Sequence, residues 1–364
     1  MSEAGLRGPI AVPLDGMRAF ALDVLKAMDV PESDAATVAD CLLHSEECGH
    51  SSHGIVRLPV YGKRVAAGVV EARPEIRVVV DTHALAIVDG GNGLGPVVGA
   101  FAMDEAIKRA REHGVGLVLA RHSNHYGASG FYTSRASAAG CVGFSASNAP
   151  PNMAPWGGRE RFLGTNPFSI GVPRSEGVLN ADMASSVVAR GNIILAAQNG
   201  EPIPEGWAID PEGRSTTDAD AGLKGCVLPF AGPKGAAISF MIDVVCGVLS
   251  GASYGRHINT LEDLTTQQNL GQVFLAIDAG ACMPPEQFDR RVNDLVGQLK
   301  ATPRATGVSE ILAPGEPEAR RRVDLRKRGI EIPPSVRDDL RDFATGLGVG
   351  IPSFLEPGSQ QEQP

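Results

Sequence analysis

An α/β chain is what the hydrophobic pattern predicts, on three observations. Short apolar runs at 115–120, 141–145 and 168–172 have strand length and rise between polar, glycine-rich loops. Around them, residues 17–28, 35–47, 97–113 and 286–300 carry apolar side chains at helical spacing. A length of 364 residues, 43% hydrophobic and 21% charged, allows a large core divided between two lobes.

In chain order, the first helix is expected at 17–28. Pro31, Glu32, Ser33 and Asp34 prime a second over 35–47, because proline and acidic groups suit a first turn. Gly49 ends it, and HSSHG follows as a turn. Residues 56–67 read as helix, which sets Arg57 and Tyr61 four apart on one face. A strand pair at 76–81 and 84–89 runs into the long helix 97–113, closed by Gly114. The strand 115–120 then enters a polar stretch, 121–190, where a helix begins at Ser129 and Asp182 ends a strand and starts a helix. Beyond it the chain reads as loop-rich. Lys234 and Gly235 introduce a helix over 236–250 whose nearly continuous apolar character marks it as buried. A strand at 273–277, a turn at 313–317 and exterior helices at 286–300, 320–328 and 335–347 follow. The tail PGSQQEQP is polar and expected to fray.

Bulk properties exclude several function classes. A net charge of -9 argues against a nucleic-acid partner, which needs clustered cations. No apolar run approaches the roughly 18 residues of a membrane span. The N-terminus lacks a signal-peptide apolar region. Six cysteines, scattered without a CxxC pair, suggest reduced thiols and a cytoplasmic protein. GGNGLGPVVG at 90–99 imitates a dinucleotide fingerprint, but Pro96 stands where the third glycine belongs. A nicotinamide cofactor, if bound, is bound without a Rossmann fold.

The stretch 121–190 holds more hydrogen-bonding residues beside glycines than packing requires, as the floor of a cofactor and substrate site would. His53 sits on a turn with Ser51 and Ser52 beside it, and Arg57 lies four residues on. An arginine that clamps a carboxylate and a histidine that moves the proton of a carbinol oxygen suit a 2-oxo or 2-hydroxy acid. The same pair also suits a plainer role, a dipole-stabilised helix-end histidine and a surface arginine. His125 follows a buried strand and faces a helix start, as a second proton carrier or a loop histidine. Asp182 reads as an N-cap, or as the start of a small-residue passage (Ala184, Ser185, Ser186) that a phosphate or ribose could approach. Lys234, leading an apolar helix, calls for an anionic partner. His44, Cys48, His50 and His53 offer zinc-type ligands in an H-x3-C-x-H-x2-H spacing, although Gly49 breaks the helix that would align them.

Five motifs in order (SHGIVRLPVY at 52–61, NHYGASG at 124–130, LGTNPFSIGVP at 163–173, DMASSVVARG at 182–191 and PKG at 233–235) resemble the malate/L-lactate dehydrogenase family. This is the group of ureidoglycolate, sulfolactate and 2,3-diketogulonate oxidoreductases and of piperideine-2-carboxylate reductase. The resemblance runs from about Thr37 to about Glu318. It implies an unusual α/β fold that is not a Rossmann fold, with a β-rich cofactor domain between helical segments. The expected division is 1–120 as a helical, substrate-side segment, 121–285 as the cofactor core, and 286–364 as a helical segment packing back. It further implies hydride transfer between NAD or NADP and C2 of a small 2-hydroxy or 2-oxo acid, or alternatively reduction of a cyclic imino acid. His53 and His125 are the implied proton carriers, with Ser52 and Asp182 in support and Arg57, beside Tyr61, on the substrate carboxylate. The cofactor is expected along Asn148, Thr165, Asn166, Asp182, Met183, Ala184, Ser185, Lys234, Gly315 and Glu316. Family members are typically homodimers with the site near the subunit interface. His122 and Cys246 depart from the family pattern; the first is expected to alter the pocket, the second only packing.

Overall fold

The computed structural model describes residues 10–356; the tail expected to fray, 357–364, lies outside them. The chain opens with strand β1 (Ile10–Val12) and helices α1 (Leu14–Ala27) and α2 (Glu32–Glu47). Two 3-10 turns, Ser51–His53 and Ile55–Arg57, lead into α3 (Leu58–Ala66). Strands β2 (Arg77–Thr82) and β3 (Leu85–Asp89) precede α4 (Gly95–His113). Pro96 opens α4 where its missing N–H costs nothing, and Gly114 closes it at φ 82°. β4 (Val115–Ser123), α5 (Ser129–Ala138), β5 (Cys141–Ser147), β6 (Phe168–Val172) and β7 (Leu179–Met183) follow.

The region expected to be loop-rich contains α6 (Arg190–Asn199), the short strands β8 (Ala208–Ile209) and β9 (Ser215–Thr216), α7 (Ala219–Lys224) and β10 (Cys226–Val227). α8 (Pro233–Asp243) continues as a π turn, Val244–Leu249. β11 (Leu270–Asp278), α9 (Ala279–Cys282), α10 (Pro285–Ala301), α11 (Glu316–Arg328), β12 (Ile330–Ile332) and α12 (Pro334–Gly346) complete the chain.

Seven strands form one sheet in the order β2-β3-β4-β11-β5-β6-β7, antiparallel throughout except for β3 beside β4. A doubly wound nucleotide fold would need a mostly parallel sheet, so the non-Rossmann expectation holds. β4 spans the expected boundary at 120, and the sheet takes strands from both sides of it. Helices α4 and α5 cover one face over a core of Val98, Met103, Ala106, Tyr132 and Phe274. The α8 π turn covers part of the other face through Cys246, over Leu119, Ala146 and Val273, which fits the packing role expected of that cysteine. α1, α2, α3 and α12 share a separate helical core, and β1 pairs with β12 to tie the two ends of the chain together.

Two expectations change. No helix starts at Asp182: β7 ends at Met183 and the next helix begins at Arg190. Nor is the 236–250 helix buried. Ile238, Phe240, Met241, Val248 and Leu249 are exposed, so its apolar residues cover one face against the sheet and a second facing outward.

Candidate active site

Two turns carry the chemistry-bearing residues to one place. The first follows α2. Glu46, 5% exposed, accepts the N–H of Ile55 at 2.8 Å through its carboxylate, folding residues 50–55 back under the helix end. Gly54 makes that fold possible, since a Cβ there would lie 2.0 Å from the Glu46 Oε1. The result presents Ser52, His53 and Arg57 in succession. The Ser52 hydroxyl lies 2.9 Å from His53 Nδ1. Arg57 donates its Nε–H to the Ser52 carbonyl at 2.6 Å, and its two terminal nitrogens have no partner among the described residues.

The second turn follows β4, where His125 meets the first cluster. Its ring stacks on His53, with centroids 5.3 Å apart and planes 23° from parallel. Tyr61, one turn into α3, places its hydroxyl 2.7 Å from His125 Nδ1. Burial, with Arg57 and His50 adding repulsion, pushes His53 down to about 3. Burial, then His53 and Arg57, also holds His125 well below the ordinary imidazole range. Burial raises the Tyr61 hydroxyl, so it stays protonated. Both rings are therefore neutral at neutral pH. The Tyr61 oxygen can accept from His125 Nδ1–H, which leaves Nε2 of that ring free to take a proton.

Asp182 stands elsewhere. Its Oδ2 accepts the N–H of Gly130 at 2.8 Å, and the nearest histidine is His50, with Nδ1 at 3.9 Å, rather than His53. Burial raises its carboxyl. It lines a cavity of ≈ 40 Å³ with His50, Gly130, Asn180, Gly315 and Arg322. The 50–53 turn links this cavity to the histidine pair, because His53 N–H bonds the carbonyl of His50 at 2.8 Å.

The other expected cofactor residues lie on several elements. The Thr165 carbonyl accepts both the N–H (2.8 Å) and the hydroxyl (2.9 Å) of Ser185. Asn166, at φ 20°, donates to the carbonyl of Ser239 on α8 at 2.8 Å. The Asn148 amide bonds Asp243, Ser253 and Gly271, so its polar atoms are engaged internally. Met183 and Lys234 are exposed and Ala184 is half-buried; Lys234 has no partner among the described residues. Gly315 caps α11 at φ 89°, while Glu316 is engaged by Lys300 at 2.6 Å and the Ala313 amide at 3.1 Å.

The zinc-type residues divide among three sets of partners, and His44 Nε2 lies 3.6 Å from Cys48 Sγ. His44 and Cys48 share the Arg322 guanidinium, at 3.0 and 3.5 Å, His50 faces Asp182, and His53 faces Ser52. No group of three His, Cys, Asp or Glu that could hold a metal forms among the described residues. His122, the extra histidine, pairs with Asp89 at 2.9 Å on the far side of its turn. The sequence alone held no sign of Glu46 or Gln268, the latter accepting the His125 N–H at 3.2 Å, and offered His50 only as a zinc-type ligand rather than as the partner of Asp182. Only the fold brings these polar residues to the site.

The malate/L-lactate dehydrogenase family model matches residues 12–341. The chain is 38% identical over 335 residues to L-sulfolactate dehydrogenase of Methanocaldococcus jannaschii, covering 92% of this chain and 96% of the relative. The solved structure of the sulfolactate dehydrogenase from that organism superposes with a TM-score of 0.89 at 36% identity, covering 93% of this chain and 98% of that one. Identity is 36% over 329 residues to (2R)-3-sulfolactate dehydrogenase (NADP(+)) of Chromohalobacter salexigens, covering 89% of this chain and 95% of the relative. It is 34% over 300 residues to ureidoglycolate dehydrogenase (NAD(+)) of Escherichia coli K12, covering 82% and 85%.

Proposed function

The chain belongs to the malate/L-lactate dehydrogenase family, and on that footing we propose that it reduces small 2-oxo acids and oxidises the matching 2-hydroxy acids at the Arg57–His53–His125 cluster. It is an NAD(P)-dependent dehydrogenase of hydroxy acids. The observation that carries the site reading is the stacked histidine pair beside a guanidinium whose two terminal nitrogens have no partner among the described residues.

Arg57 holds the substrate carboxylate through those nitrogens, and its Nε bond to the Ser52 carbonyl fixes the plane of the fork. Neutral His53 and His125 are set to take the hydroxyl proton of a 2-hydroxy acid. In the reducing direction the carboxylate offsets the Arg57 charge, one of the causes that depresses both rings. Substrate binding thereby makes a protonated imidazole easier to reach. Ser52 orients His53 and Tyr61 orients His125. When bound, the nicotinamide supplies or accepts the hydride at C4.

The residues present fit such a cofactor. A Cβ on Gly130 would stand 2.8 Å from the Asp182 carboxylate, and one on Gly315 would stand 3.0 Å from the Asn180 backbone, so this seam is open only to bare backbone. Lys234, exposed and without a partner among the described residues at the start of α8, suits a phosphate. Asp182, Met183, Ala184, Ser185, Gly315 and Lys234 would hold it, with Asn148, Thr165, Asn166 and Glu316 fixing the surrounding backbone through their own bonds. The outward apolar face of α8 supports a homodimer.

The test follows nicotinamide absorbance at 340 nm with NADH and NADPH separately, against pyruvate, oxaloacetate, a sulfonated 2-oxo acid, 2-oxoglutarate, a diketo sugar acid and a cyclic imino acid. Turnover of at least one 2-oxo acid is expected. Turnover of the cyclic imine alone would transfer the reading to an imino acid reductase. A flat panel with both cofactors would overturn it.

A further inference from the structure

Arg64 is a buried cation that neither proton transfer nor substrate binding uses. It is 1% exposed on α3, one turn beyond Tyr61, and makes no ion pair among the described residues. Its guanidinium instead donates to three backbone carbonyls of one segment: Leu261 at 3.3 Å, Thr266 at 3.2 Å, and Asp263. Its Nε–H has no acceptor among the described residues. A guanidinium desolvated without a directly bonded carboxylate, with Asp263 and Glu262 acting only through space, is costly, and a leucine or methionine would fill the space at less cost. What the arginine adds is a fixed hold on the segment 259–269.

That segment ends on the backbone that presents His125. β4 stops at Ser123, so the chain beyond it has no strand ladder to satisfy its polar groups. Side chains from the far end of the segment satisfy them. Gln268, 1% exposed, accepts the His125 N–H at 3.2 Å and donates to the Asn259 carbonyl at 3.1 Å, closing the segment on itself. Asn269 accepts the His122 N–H at 2.9 Å, and Gln272, just inside β11, donates to the Asn124 carbonyl at 3.2 Å. A buried amide left without an acceptor would pull toward water, so these bonds set where the turn lies.

We propose that residues 259–269, pinned to α3 by Arg64, form a clamp that sets the backbone of His125, and that Arg64 and Gln268 are positioning residues for proton transfer. α3 then holds His125 twice: its ring directly through Tyr61, its main chain through Arg64 and Gln268. The distance from ring to substrate oxygen becomes a property of one helix. This inference rests on His125 carrying the proton.

The experiment is a double-mutant cycle on kcat with saturating NAD(P)H and the best 2-oxo acid, using Gln268→Leu, His125→Ala and the two together. Melting temperature and cofactor Kd are read alongside. Gln268→Leu should lower kcat by about tenfold to a hundredfold, the usual effect of misplacing a reacting group by an ångström, with cofactor Kd unchanged. The double variant should be no slower than His125→Ala alone, because the glutamine acts through the histidine. Gln268→Glu, which keeps the acceptor, should recover part of the rate. Arg64→Met should reproduce the Gln268→Leu defect; should it fail to fold, the Gln268 cycle decides alone. A wild-type kcat in Gln268→Leu, or losses that multiply in the double variant, would overturn the clamp. If His125→Ala itself turned over at the wild-type rate, the proton-carrier reading would fail first and the clamp with it.

Discussion

His53 and His125 are two neutral rings in contact, each fixed by a different hydroxyl, beside one guanidinium. Removing a proton carrier removes a general acid, so His53→Ala or His125→Ala should lower kcat about a hundredfold in steady-state assays, with cofactor affinity intact. If only one variant does so, that residue is the main carrier and the other a stacking support. Tyr61→Phe leaves His125 Nδ1 without its partner and should cost about tenfold in kcat, the worth of one hydrogen bond. Folding depresses His53 and His44 to about 3, against an ordinary 6.5. The unfolded chain therefore binds more protons between those values, and their contribution to stability is complete above pH 6.5 and lost as pH falls toward 3. Melting temperature should drop across that window, and less steeply in His53→Gln. These residues were legible in the sequence because SHGIVRLPVY and NHYG each concentrate their chemistry in a few positions. Glu46 and Gln268 were not, since a lone carboxylate and a glutamine in a polar run acquire meaning only from what folds against them.

Among the elements, the 50–57 turn bears most of the site, and its shape depends on a carboxylate seated where a side chain would otherwise be. Gly54→Ala forces a Cβ onto the Glu46 Oε1 and should destabilise the protein by about 1–3 kcal/mol in urea unfolding, with activity lost in step. The 3-10 geometry was not visible beforehand because HSSHGIVR has the periodicity of a helix broken once. α8 misled for a different reason. Apolar residues on every face predict burial, but one of its faces is covered by the sheet and the other by nothing among the described residues. α6 went unseen because RGNIILAAQN lacks a polar cap and its neighbours are rich in proline and glycine.

For the whole molecule, periodicity revealed seven strands' worth of sheet only in part. The central strands were legible as apolar runs; the pairing of β1 with β12 joins positions more than 300 residues apart and leaves no local trace. The outward faces of Met241 (56% exposed) and Leu249 (58%) should be covered by a second copy. Light scattering should give a dimer mass for the wild type and a monomer for Met241→Glu with Leu249→Glu, whereas a wild-type mass in that variant would move the interface elsewhere. No helix among the described residues is long and apolar enough to cross a membrane. Catalysis turns on a carboxylate held by Arg57 against the histidine pair. The most direct measurement is the KM for the 2-oxo acid in Arg57→Lys, which keeps the charge and loses the fork. The expected result is a rise of about tenfold or more with cofactor Kd unchanged; a wild-type KM would contradict it and place the substrate elsewhere.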